Sequence, residues 1–387
     1  MALKLRYFSH PDMLRQFQPG ILIRIVRTAE QFFAAKGFSI PPANDCGEID
    51  YEALASILAD PDEEMPSDLV DGLHLISELG NEACFDDLLQ MAGEAGIPVG
   101  EEVTPQDLAA LIWLARPRLL QQKAQESSFE RRKTFESFAP ADPAMAIDPE
   151  KLPQDLSGLE AALREHFRKK KNGRRCRVYR KNMPGSIHFY VQHGQACRRE
   201  PSVKGEESAC TFFRPERTDM VILDAVNPEL RINSASAPDM RKYRELFGLH
   251  LFGSAETFRY ADKYNLEPLR KLGPASLECS DFPDLESARL TELEMDWGGA
   301  LNNKSVEKAD DVFTALEIRH AAIPDQPALK RAKIKVKLKG VKKVRVLSLV
   351  AGNKSGYPRG EEAAMFEEWL RAREFIVYGK RAYEEAA

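Results

Sequence analysis

The chain has 387 residues, long enough for two or three domains with substantial cores. Hydrophobic residues at 43% and charged residues at 30% exclude a disordered or membranous composition. A net charge of −5 excludes a uniformly basic coat.

No apolar run reaches the length of a membrane-spanning helix, and the opening MALKLRYFSHPDMLRQF lacks the apolar stretch of a secretory signal. A cytoplasmic, bacterial protein with no membrane partner is therefore expected. Six cysteines are scattered without CxxC spacing, as reduced thiols are in a reducing compartment. Cys176, Cys197 and Cys210 are too irregularly spaced for a zinc site, so no metal and no cofactor are expected.

The N-terminal part reads as helical. Ile21 to Lys36 forms one helix, ended by Gly37. Leu54, Ile57 and Leu58, then Leu69, Leu73 and Ile76, then Phe85, Leu88 and Leu89 recur at helical spacing. Thr104 and Pro105 cap and open a helix from Gln106 to Ala115. The expected domain is all-helical over residues 1–120, followed by a proline-interrupted connector over 121–157.

Beyond the connector the pattern changes. Leu159 to Phe167 is an amphipathic helix. Arg175 to Lys181 and Ser186 to His193 read as a hairpin turned at Asn182–Gly185. Strands follow near residues 209–214, 218–223 and 230–233, then a helix from Pro238 to Phe252. Further on, 288–297 alternates as a strand, 310–320 is helical, and 332–338 and 344–349 form an antiparallel pair. A loop at 351–360 precedes a helix at 361–374. The fold class is α+β: an acidic helical domain, then two basic, mainly antiparallel blocks over 158–275 and 276–387.

Charge is strongly segregated. From Gly37 to Ala115 there are 18 acidic residues and no lysine or arginine, so the remainder carries +13. The runs 168–181 and 330–345 each hold nine basic residues and no acid. In the first, Arg168, Lys169, Lys170, Lys171, Arg174, Arg175 and Arg177 are candidate phosphate contacts, because the guanidinium fork suits phosphate oxygens. Arg198, Arg199, Arg214 and Arg217 extend that patch in sequence. In the second, Lys333, Lys335, Lys337 and Lys339 alternate, which puts four ammonium groups on one sheet face. Their mutual repulsion would be relieved by a polyanion. Lys354, Tyr357 and Arg359, in a glycine-rich loop, are candidates to grip a backbone and stack on a base.

These features predict nucleic-acid binding through basic strands, without catalysis, as an accessory subunit of a bacterial assembly. An antiviral-defence setting would suit such a role, but no residue specifies one. Four competing readings exist. Lysines also protect edge strands from aggregation. The basic surface could dock on the acidic helices, or those helices could bind a basic protein partner. Asp219, Asp224, Glu229 and Arg231 loosely resemble the acid–turn–acid-x-base hairpin of a metal-dependent nuclease, although arginine replaces the expected lysine.

Overall fold

The computed structural model describes residues 5–42, 49–62, 64–100, 102–130, 134–341, 343–357 and 362–377. The chain forms two compact units, Met1–Phe129 and Glu130–Ala387. No helix among the described residues is long and apolar enough to cross a membrane.

The first unit is helical: α1 Pro11–Leu14, α2 Pro19–Arg27, α3 Glu30–Ala35, α4 Tyr51–Ala59, α5 Ser67–Leu79, α6 Phe85–Glu94, α7 Pro105–Ala115 and α8 Pro117–Glu130. Its core joins Phe8, Phe17 and Phe33 to Leu54, Leu73, Ile76 and Leu108. Thr104 caps α7 by accepting from the Asp107 backbone N–H. At Gly72 a Cβ would lie 2.2 Å from the Trp113 ring, so the absent side chain lets α5 and α7 close together.

The second unit is built on one antiparallel sheet, so the chain is α+β. Its strands are β1 Thr134–Pro140, β2 Cys176–Met183, β3 Ser186–Gly194, β4 Arg198–Lys204, β5 Glu207–Phe213, β6 Glu216–Asp224, β7 Glu229–Asn233, β8 Phe258–Tyr260, β9 Leu285–Gly298, β10 Asn303–Lys308, β11 Ala328–Leu338, β12 Arg345–Val350 and β13 Lys354–Gly356. The helices are α9 Ser157–Lys169, α10 Ala237–Phe252, α11 Glu267–Lys271, α12 Val312–Ile318 and α13 Ala363–Ala372. The main order is β10-β9-β11-β12-β13-β1-β7-β6-β3-β2, with β8 beside β1. The β4–β5 pair is a separate two-stranded ribbon.

Two differences from the sequence reading matter. The segment read as a connector contains β1, which pairs with both β13 and β7. The two C-terminal blocks therefore share a sheet through it. In β9, Glu292 faces Lys333 and Leu290 faces Ile334, leaving Thr291 as a bulge. That extra residue breaks the strict alternation and brings Leu290 and Leu293 into one core.

The sheet has two cores on opposite faces. Phe138 faces Leu230, and both pack with Leu159, Leu163, Tyr243 and Phe247 of α9 and α10. The next pair, Ser137 and Arg231, points the other way. On that face Ile334, Val336, Leu347 and Leu349 pack with Phe366 and Trp369 of α13.

Between the two halves lies a buried ion cluster. Arg231 donates to Asp224 at 2.6 Å and Glu367 at 2.9 Å, and also to Glu229. Lys263 Nζ reaches both Glu229 oxygens, at 2.7 and 2.9 Å. Burial would raise the Glu229 carboxyl, but Lys263 and Arg231 bring it below its ordinary value. Asp224 moves upward because burial outweighs the attraction of Arg231.

Candidate nucleic-acid interface

The antiparallel pairing brings one end of the sheet to a single place. Cys176 at the start of β2 faces His193 near the end of β3, and His193 faces Arg217 at the start of β6. Met220 of β6 faces Asn233 at the end of β7, which leads directly into α10. The C-terminus of α9 and the root of the β4–β5 ribbon arrive at the same end. A cleft of about 330 Å³ opens there, with Lys170, Arg198, Arg217, Asn172, Gln195 and Asp239 among its lining residues.

The backbone is fitted closely around Arg214. A Cβ on Gly194 would meet the Asn172 carbonyl at 2.3 Å, and Gly173, at φ +98°, would meet Arg214 Cδ at 2.9 Å. With both side chains absent, Arg214 donates to the carbonyls of Lys171 and Gln195, each at 2.7 Å. That guanidinium ties the end of α9 to the strand leading into the ribbon.

Polar groups brace the cleft floor. Asp219 accepts from Arg217 at 2.6 Å, Ser234 at 2.9 Å and Tyr243 at 3.0 Å, and His193 Nε2 stands 3.3 Å from it. Burial pushes the Asp219 carboxyl upward, but hydrogen bonds from His193 and Arg217 outweigh it and hold the group at about 2. The His193 ring stacks on Phe167, with centroids 3.8 Å apart. Lys170 Nζ grips both Asp239 oxygens, at 2.6 and 2.7 Å, and His166 Nε2 lies 2.7 Å from the same carboxylate. Burial opposes ionisation of Asp239, yet Lys170 and His166 hold it below the usual carboxylate range.

The remaining candidates of the first basic run divide into two kinds. Arg168 and Lys169, on the last turn of α9, pair with Glu165 at 2.7 and 3.7 Å. Arg177 pairs with Glu160 at 3.2 Å, and Arg175 reaches Glu216 at only 3.7 Å while 68% of its side chain stays exposed. Lys171, Arg174, Arg198 and Arg199 are exposed and have no carboxylate within ion-pair reach among the described residues.

The lysine strand is differently placed. Ile334, Val336 and Leu338 are buried, and Lys333, Lys335 and Lys337 lie on the other face of β11. On that face β9 presents carboxylates: Glu292 binds Lys333 at 2.9 Å and Glu294 binds Arg331 at 2.9 Å. Lys330 lies 3.6 Å from Asp296, and Lys337 binds Glu286 at 2.6 Å. Lys335 faces Arg289 across the strands, and Lys339 is exposed beyond the end of β11. The expected unbroken stripe of positive charge is thus interrupted by acids from the neighbouring strand.

The glycine-rich loop differs most from expectation. Residues 354–356 form β13, and Lys354 lies 3.4 Å from Glu136. Tyr357 is fully buried and donates to Glu367 at 3.0 Å, so it presents no ring to a base. Arg359 lies outside the described residues. The nuclease arrangement is also altered. Asp219 is held by His193 and Arg217, while Asp224 and Glu229 are occupied by Arg231 and Lys263. No group of three or more His, Cys, Asp or Glu side chains among the described residues is placed to hold a metal ion. Cys176 is buried, whereas Cys197 and Cys210 are exposed.

The cleft itself escaped sequence reasoning because six segment ends build it. One local signal was legible: Ser236, Pro238 and Asp239 spell a helix start, with Ser236 capping α10. Neither protein-family models nor curated protein sequences match this chain.

Proposed function

We propose that residues 130–387 bind nucleic acid along this end of the sheet, through phosphate contacts and without base-specific readout. The observation that carries the reading is the convergence of Lys170, Arg198 and Arg217 on one cleft. Lys171, Arg174 and Arg199 extend it as exposed cations without carboxylate partners among the described residues. Two features favour this end over the lysine strand. It is concave, which focuses the field of its cations. Its flanking arginines also keep their forked donors available for phosphate oxygens. A polyanion lying along β11 would instead meet Glu292, Glu294 and Asp296.

Fluorescence anisotropy with labelled oligonucleotides tests the reading. The logarithm of affinity should fall linearly with that of salt between roughly 50 and 200 mM, with a slope near the number of phosphate contacts. A flat salt dependence, or no binding at the lower concentration, overturns it.

A further inference from the structure

An edge strand offers its free backbone N–H and C=O groups to another chain, and proteins blunt such edges. Both ends of the main sheet are blunted. β10 carries Lys304, Glu307 and Lys308. In β2 the Val178 N–H donates to Glu160 at 2.9 Å, and Arg180 donates to the carbonyls of Pro149 and Pro153. The β4–β5 ribbon has two further edges, and they differ. β4 holds Arg198, Arg199, Glu200 and, at its middle, Pro201. β5 runs uncharged from Ser208 to Phe213 and is exposed along nearly its whole length. Among the described residues no strand lies beyond it.

The register shows which backbone groups are open. Pro201 faces Cys210. Proline has no N–H, so this pair does not exchange two hydrogen bonds, and the Cys210 N–H and C=O point away from β4. Alternation turns the same groups of Ser208 and Phe212 outward. β5 therefore presents complete donor–acceptor positions at Ser208, Cys210 and Phe212, whereas β4 lacks the donor at its centre. Two strands alone are marginally stable in water, so the ribbon gains from a further strand.

We propose that β5 pairs antiparallel with β5 of a second copy of this chain, joining two ribbons into one four-stranded sheet. Symmetry fixes the register. A two-fold axis normal to an antiparallel pair sets one residue opposite itself, and Cys210 is the middle outward-facing residue. Cys210 then faces Cys210 of the second copy, and Ser208 faces its Phe212, for about six hydrogen bonds. Charge complementarity selects the occupant. Each ribbon is positive at its root, with Arg198 and Arg199, and negative at its tip, where Glu206 and Glu207 outweigh Lys204. Antiparallel pairing lays root beside tip at both ends. Arg198, opposite Phe213, falls in one row and on one face with Glu207 of the second copy. A contact confined to two ribbons is smaller than a standard interface, so the dimer forms at roughly 100 μM rather than at nanomolar concentration.

Sedimentation velocity of the full chain from about 5 to about 500 μM tests the pairing. Nucleic acid is left out, because Arg198 also lines the cleft. A reducing buffer keeps the exposed Cys197 and Cys210 from forming disulfides. The parent should pass from monomer to dimer across this range. Cys210→Pro removes an outward N–H and no bond to β4, so its thermal midpoint should match the parent's while its dimer weakens roughly tenfold or more. Cys210→Lys keeps the N–H but sets like charges opposite each other, and should weaken the dimer similarly. Glu207→Arg should also weaken it, and adding Arg198→Glu to the same chain should restore it. A parent that stays monomeric at the highest concentration overturns the proposal. So does a dimer that both Cys210 variants leave intact, which would place the contact elsewhere on the chain. Neither result alters the phosphate reading, which oligonucleotide binding decides separately.

Discussion

Along β11 the cations face a strand that carries Glu292, Glu294 and Asp296; beside the cleft Lys170 and Arg217 are held by Asp239 and Asp219, while Arg174, Arg198 and Arg199 face solvent. The β11 cations belong to one run of nine basic residues without an acid; at the cleft Lys170, Lys171 and Arg174 belong to the other, and Arg198, Arg199 and Arg217 lie beyond it. The difference lies in the partner. An antiparallel neighbour places its own side chains on the same face at fixed register, and β9 uses that register to place carboxylates. Arg174 precedes β2, and the antiparallel neighbour of Arg198 and Arg199 sets Phe213 and Phe212 opposite them rather than carboxylates. Charge density along a chain is therefore a poor guide to charge density in space until strand pairing is known.

The buried cluster is the extreme of compensation, and breaking it should have the largest effect. Arg231→Met takes from Asp224, Glu229 and Glu367 the guanidinium that they share. Stability in urea should fall by about 3–5 kcal/mol. A loss under about 1 kcal/mol would show that water reaches the cluster.

The second effect is a pH dependence beside the same arginine. Burial, with the charges of Arg231 and Lys181, lowers His188 from 6.5 to about 4. Between those values the unfolded chain binds a proton that the folded chain refuses. Stability is thus fully present above 6.5 and declines as pH falls toward 4. The histidine should contribute about 2 kcal/mol to that decline, allowing for its partial exposure. His188→Gln removes this component, so urea midpoints of parent and variant should converge on acidification. Parallel curves would contradict the assignment.

A smaller effect concerns the lysine strand. Repulsion among alternate lysines, read from sequence alone, predicts that Lys333→Gln is neutral or stabilising. The carboxylates of β9 reverse that sign. Glu292 is only 7% exposed and is lowered chiefly by its hydrogen bond from Lys333. Removing the lysine should cost about 0.5–1 kcal/mol, read as a shifted thermal midpoint. A stabilised variant would restore the repulsion argument.

Much of the secondary structure was legible because local chemistry set it. The β2–β3 hairpin shows in its turn residues, α7 in its Thr104 cap and following proline, and β11 in its strict alternation. What stayed hidden depended on distant partners. β1 lies between a basic stretch and a proline-rich one, and only its pairing with β13 and β7 makes it a strand at the centre of the sheet. Tyr357 sits among glycine and charged residues that suggest exposure, yet Glu367 of α13 satisfies its hydroxyl in the core. The candidate site was half legible: Arg198, Arg199 and Arg217 stood out as basic, but His193 and Tyr243 did not, and Asp219 read as a nuclease acid rather than as the brace it is.

The smallest expected stability effect belongs to the exposed arginines, and it sets up the most direct measurement. Replacing Arg174, Arg175, Arg198 and Arg199 together by glutamine should alter stability by no more than about 0.5 kcal/mol each. The corresponding lysine-strand variant replaces Lys333, Lys335 and Lys337 by glutamine. The two variants and the parent are titrated with the same oligonucleotide across the same salt series. The arginine variant should lose affinity tenfold or more at ~100 mM salt, with its salt slope reduced by roughly three. The lysine variant should keep the parental slope within about one. A reversed pattern, with the slope lost in the lysine variant and kept in the arginine variant, would contradict the placement of the interface at the end of the sheet.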